Sequence, residues 1–83
     1  MKFLVSHTFI QKDILPNVHD TRVFPTLEAA QEYVDKQRLA HAETYWADEH
    51  RDSSWNTDGN DTYLASGYAI DWWHIYFVED EHE

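Results

Sequence analysis

The chain has 83 residues, a formal charge of −10 at neutral pH and no cysteine; 42% of its residues are hydrophobic and 16% aromatic. That length predicts a single domain over residues 1–83 with one small core, leaving no room for a cofactor domain beside a substrate domain. The missing cysteine excludes disulfides, thiolate nucleophiles and cysteine-type zinc sites, and the aromatic content argues against disorder throughout.

Residues 2–10 alternate as a strand, with Phe3, Val5, His7 and Phe9 on the expected core side. Gln11 to Asp20 reads as a connection, with Pro16-Asn17 as its turn signal, and Thr21 to Phe24 as a short β-prone stretch. A helical pattern then runs from Leu27 to about Asp48, with Thr26 placed to cap it. Leu27, Ala30, Val34, His41 and Tyr45 share an inward stripe; Glu28, Glu32, Asp35 and Glu43 lie opposite, and Leu39 and Trp46 fall off the stripe. Asp48 to Asp61 is polar and turn-rich, with Asp58-Gly59 as an apex and Trp55 as its one large apolar residue. Thr62 to Ala65 reads as a strand, Ser66-Gly67 as a tight turn, and Tyr68 to Val78 as the strongest strand of the chain. Residues 79–83 read as a frayed acidic end. The order predicts an α+β domain: a small antiparallel sheet of three to four strands, in ββαββ or βαββ order, with one long helix across one face.

The charge is unevenly spread. Residues 1–42 carry five bases and five acids; residues 43–83 carry eleven acids and the single base Arg51, so the whole net charge lies in the second half. Nine of the thirteen aromatic residues lie there too. Acids interleaved with aromatics read as a folded acidic surface, since acidic disordered tails are poor in aromatics. Such a surface disfavours direct binding to nucleic acid, which needs Lys and Arg against phosphate, and to anionic lipid. The absence of cysteine fits a reducing, cytoplasmic setting.

Chemistry-bearing patterns are few. No two of the histidines His7, His19, His41, His50, His74 and His82 have the i,i+3 or i,i+4 spacing of a helical metal pair, and no calcium-loop spacing occurs. Ser6, Ser53, Ser54 and Ser66 lie outside any Gly-x-Ser-x-Gly elbow, and two glycines cannot build a phosphate-cradling loop. The expectation is therefore a protein with no catalytic residue, metal or cofactor. Trp72-Trp73 stands out because neighbouring strand residues face opposite ways, sending one tryptophan to the core and the other to the open face with Tyr68 and Tyr76.

What remains is binding. A one-sided acidic field steers association with basic partners, and Trp and Tyr serve as contact anchors. Glu43, Asp48, Glu49, Asp52, Asp58 and Asp61 would supply charge, and Trp55 and Trp72 would supply contacts. In size, charge and aromatic content the chain resembles the DNA-mimic inhibitors of phages and mobile elements, some of which block CRISPR–Cas complexes, restriction enzymes or DNA-repair enzymes. That resemblance implies a basic, nucleic-acid-binding protein as partner, in the host cytoplasm for a phage protein, with competition in place of chemistry. The alternative is an assembly domain that pairs with a second copy through an exposed aromatic sheet face.

Overall fold

The computed structural model describes residues 2–11, 14–67 and 69–79, with 14–20 described by backbone alone. Six elements follow in order: β1 (Lys2–Gln11), β2 (Ile14–Phe24), α1 (Leu27–Glu49), β3 (Ser54–Asp58), β4 (Asp61–Ser66) and β5 (Ala69–Val78). The strands form one five-stranded sheet in the order β2-β1-β5-β4-β3. Every pairing in it is antiparallel. The α+β class with one helix is as expected. The strand count is one or two higher than expected, and the order is ββαβββ.

Both extra lengths of strand are at the sheet edges, where sequence patterning is weakest. The stretch read as a connection with a Pro16-Asn17 turn is instead most of β2. The register passes from Phe9↔Asn17 to Gln11↔Ile14 across an irregularity that contains Pro16. An edge strand tolerates proline there because it has one hydrogen-bonding neighbour. The segment read as a polar loop contains β3, whose five residues are all exposed. Its ladder to β4 supplies backbone pairing that needs no apolar alternation. The expected apex near Gly59 is a two-residue hairpin turn, with Gly59 at φ 61. Tyr68 and residues 80–83, where part of the turn, an open-face aromatic and the frayed end were expected, lie outside the described residues.

The helix starts where the capping residue places it. Thr26 is extended, and its hydroxyl accepts from the Ala29 amide at 3.1 Å. It ends at His50, which takes the left-handed conformation at φ 53 and donates its amide to the Trp46 carbonyl at 3.1 Å. Ala30, Val34 and Tyr45 of the inward stripe are buried, and His41 is partly so. Among the described residues no helix is long and apolar enough to cross a membrane.

The core lies between α1 and one sheet face. Val5, Leu64, Trp73 and Ile75 meet Ala30, Val34 and Tyr45 there. The two neighbouring tryptophans separate as alternation requires: Trp73 is 1% exposed beneath the helix, and Trp72 is half-buried on the far face. No element covers that far face among the described residues. Val23, Tyr63, Ile70, Tyr76 and Val78, all exposed, lie on it by strand register.

Candidate functional site

One exposed chemical pattern runs along the outer side of α1. At about 100° per residue, Glu28, Glu32, Asp35, Leu39, Glu43 and Trp46 fall within an arc of about 80°. All six are exposed. Leu39 and Trp46 are 52% and 60% exposed. They fall outside the inward stripe, and the helix carries them through to Glu49 without burying them. Two large apolar side chains therefore sit on a ridge of four carboxylates. From Glu28 to Glu43 the ridge spans about 22 Å, with a carboxylate every ~7 Å on average. The successive intervals are about 6, 4.5 and 12 Å along the helix axis, so the ridge does not repeat a regular phosphate spacing, and its apolar anchors must supply much of any affinity.

The arginines nearest this ridge are turned toward the fold. The Arg38 guanidinium lies 3.9 Å over the Trp55 ring, and its side chain is 12% exposed. Arg51 donates to the Ser66 carbonyl at 2.9 Å, pairs with Glu49, and lies over the Tyr45 ring at 5.0 Å. These cations hold α1 to the β3–β4 hairpin and also face acids of this surface: Arg38 lies 3.9 Å from Asp35, and Arg51 pairs with Glu49. Lys36 is exposed one turn from Glu32. At the helix end Asp48 is exposed beside carbonyls that carry partial negative charge, and the last turn has no basic residue.

The residues singled out from sequence do not form one surface. Glu43, Asp48, Glu49 and Asp52 are exposed at the C-terminal half of α1 and just beyond it. Trp55 pairs with Leu64 and so shares the helix side of the sheet, 55% exposed beyond Arg38. Asp58, Asp61 and Trp72 belong to the opposite face by register. Asp61, expected to supply charge, accepts from Trp72 Nε1 at 2.8 Å and from His74 Nδ1. The surface group therefore narrows to the helix, and it gains Leu39 and Trp46.

The His74 hydrogen bond, the largest influence, holds the Asp61 carboxyl below its ordinary range; burial opposes it and the Trp72 bond adds to it. A lowered carboxylate pKa stabilises the fold above the unfolded-state value of about 3.9, and that contribution is lost as pH falls through the folded-state value. Asp61→Asn is therefore expected to cost about 1 kcal/mol at pH 7. The difference should close as pH falls below about 4. Urea midpoints of both proteins across that range measure it, and a gap that is constant with pH would contradict the assignment.

A second cluster is buried. Asp71, one of the eleven acids of the second half, is 1% exposed. Its Oδ1 is 2.7 Å from His7 Nε2, and its Oδ2 accepts from the Tyr45 hydroxyl. Burial works to raise its pKa, but the His7 and Tyr45 hydrogen bonds, with the His41 and His7 charges, outweigh this and lower it. Burial and the hydrogen bond to Asp71 push the Tyr45 hydroxyl well above its ordinary range. His7 stacks on Trp73 at 4.7 Å and 10°, and His41 Nδ1 is 3.9 Å from Asp71 Oδ1. His7, Phe9, His41, Tyr45 and Asp71 line a cavity of about 310 Å³. Helical spacing pairs no two of these histidines, but β1, α1 and β5 bring His7, His41 and Asp71 together in three dimensions.

The chain matches no protein-family model, no curated protein and no solved structure. Its functional reading therefore rests on the geometry above.

Proposed function

We propose that this chain is a non-enzymatic acidic binding protein that occupies the nucleic-acid-binding surface of a basic partner, acting as a small inhibitor of the phage or mobile-element type. The observation that carries the reading is the α1 ridge, four exposed carboxylates with Leu39 and Trp46 set among them. Charge on the ridge steers encounter, and the two apolar anchors enter pockets that phosphate groups would leave empty. Asp48 and Glu49 in the last turn of α1 and Asp52 just beyond it add carboxylates at that end, with Glu49 paired to Arg51.

Capture on immobilised chain tests the proposal. The expected result is a basic, nucleic-acid-handling protein that is released by salt and for which duplex DNA competes. Retention insensitive to salt, or a captured protein that binds DNA and this chain simultaneously without competition, would overturn it.

Self-association is a second reading, favoured by the uncovered sheet face. The ridge acids point away from that face, so two copies could meet there without bringing the ridges together. Five strands about 4.8 Å apart and five to eleven residues long offer roughly 600–700 Å². A standard interface needs about 800 Å² per partner. The expected dimer is therefore weak. Sedimentation from about 10 μM to 1 mM should show it. Tyr76→Lys should abolish it, and a monomer at every concentration removes this reading.

A further inference from the structure

We propose that His7, His41 and Asp71 form a binding site for a divalent transition-metal ion, with zinc the best-fitting probe. Nothing in the binding reading above requires this site; it stands on the buried cluster alone. One donor atom from each residue lies within 4.8 Å of the other two. Ligands about 2.0–2.1 Å from a tetrahedral zinc are about 3.3–3.4 Å from one another. The His7–Asp71 separation of 2.7 Å and the His41–Asp71 separation of 3.9 Å lie on either side of that value. Side-chain adjustments well under 1 Å bring these two pairs to it.

The donor chemistry selects the ion class. Two imidazole nitrogens and one carboxylate oxygen suit zinc and its neighbours, whereas magnesium and calcium take oxygen ligands. Three protein ligands leave a fourth position, and the cavity of about 310 Å³ provides space for it. His41, with its side chain 34% exposed, gives an entry path. The surroundings hold the ligands in place. Tyr45 donates to Asp71 Oδ2, which leaves Oδ1 toward the histidines, and Trp73 fixes the His7 ring by stacking. Metal entry replaces the His7–Asp71 hydrogen bond, with His7 coordinating through Nε2 as a neutral ring.

Zinc titration of the EDTA-stripped chain, followed calorimetrically and by the visible spectrum of the cobalt form, tests the site. His41→Ala is the informative variant because His41 is only partly buried, so the fold survives its loss. His50→Ala is the control for scattered surface histidines. The expected result is one zinc per chain at about 1 μM or tighter. His41→Ala should weaken binding about 100-fold, with a tetrahedral cobalt spectrum lost in that variant alone. Binding weaker than about 1 mM, or equal weakening by His41→Ala and His50→Ala, would overturn the proposal. It would leave the cluster as a buried polar network.

Discussion

Asp71→Ala is expected to destabilise the fold by about 3–5 kcal/mol, the cost of breaking a buried, hydrogen-bonded charge network by removing one partner. Domains of this length have a total stability of about 4–12 kcal/mol, so a loss of that size removes a large share of it and should shift the urea midpoint well below that of the parent. The carboxylate is 1% exposed and ionised at neutral pH, because its hydrogen bonds from His7 and Tyr45 outweigh the penalty of burial. Alanine leaves the Tyr45 hydroxyl and the His7 ring, which is stacked on Trp73, without that acceptor. Asp71→Asn keeps the shape but loses the charge, and should cost less, about 1–3 kcal/mol. Urea unfolding followed by tryptophan fluorescence gives both values. A double-mutant cycle with Tyr45→Phe should show a coupling of about 1–3 kcal/mol. Additive effects, or a cost below about 1 kcal/mol for Asp71→Ala, would mean the network is not what joins α1 to β5.

That network also marks where the sequence was legible and where it was not. Alternation along Phe3, Val5 and His7, the i,i+4 stripe of Ala30, Val34 and Tyr45, and the opposed pair Trp72-Trp73 were readable because each follows a period set by local backbone geometry. Asp71 broke such a period: it sits between Ala69 and Trp73 on the inward face of its strand. An acid at an inward position must find donors, and that was the readable sign of a buried cluster. Which donors it finds depends on packing between elements 64 and 26 residues away in sequence, which no local pattern encodes. The edge strands were hidden for a different reason. β3 is held by backbone pairing, so Ser54 to Asp58 needed no apolar signature, and Pro16 signalled a turn although an edge strand can hold it.

The same distinction applies to the candidate surface. The acids opposite the core stripe were legible as an outward face, but their meaning depended on Leu39 and Trp46. These two residues lie outside the buried stripe and could have ended the helix or packed against a loop. The capping of α1 at Thr26 and His50 carries the helix through both and leaves them in solvent. A surface of acids alone is ordinary solvation, whereas acids around exposed large apolar groups resemble the centre and rim of a binding interface.

Reversing three charges of this ridge together with Asp48 in the last turn of α1 should separate binding from folding. The variant Glu32→Lys, Asp35→Lys, Glu43→Lys, Asp48→Lys changes the formal charge by +8, from −10 to −2. All four positions are exposed. It turns the Glu32–Lys36 spacing and the 3.9 Å Asp35–Arg38 contact into like-charge pairs, each change costing about 0.5–1 kcal/mol. It gains about 0.3–1 kcal/mol from a cation in place of Asp48 at the helix C-terminus. The melting temperature should therefore fall only modestly below that of the parent. Association with the captured basic partner should slow about 100-fold or more at low salt, because steering by the field is what the reversal removes. The parent's advantage should shrink as salt rises, since exposed charges are screened over about 10 Å at 0.1 M. Trp46→Ala should act on the other component, lowering affinity about 30-fold through faster dissociation, with little change in salt dependence or fold stability. Association rates and dissociation rates measured at two salt concentrations for the three proteins distinguish the roles. An unchanged association rate in the charge-reversed variant would mean that the acids serve only solvation, and an unchanged dissociation rate in Trp46→Ala would move the contact away from α1.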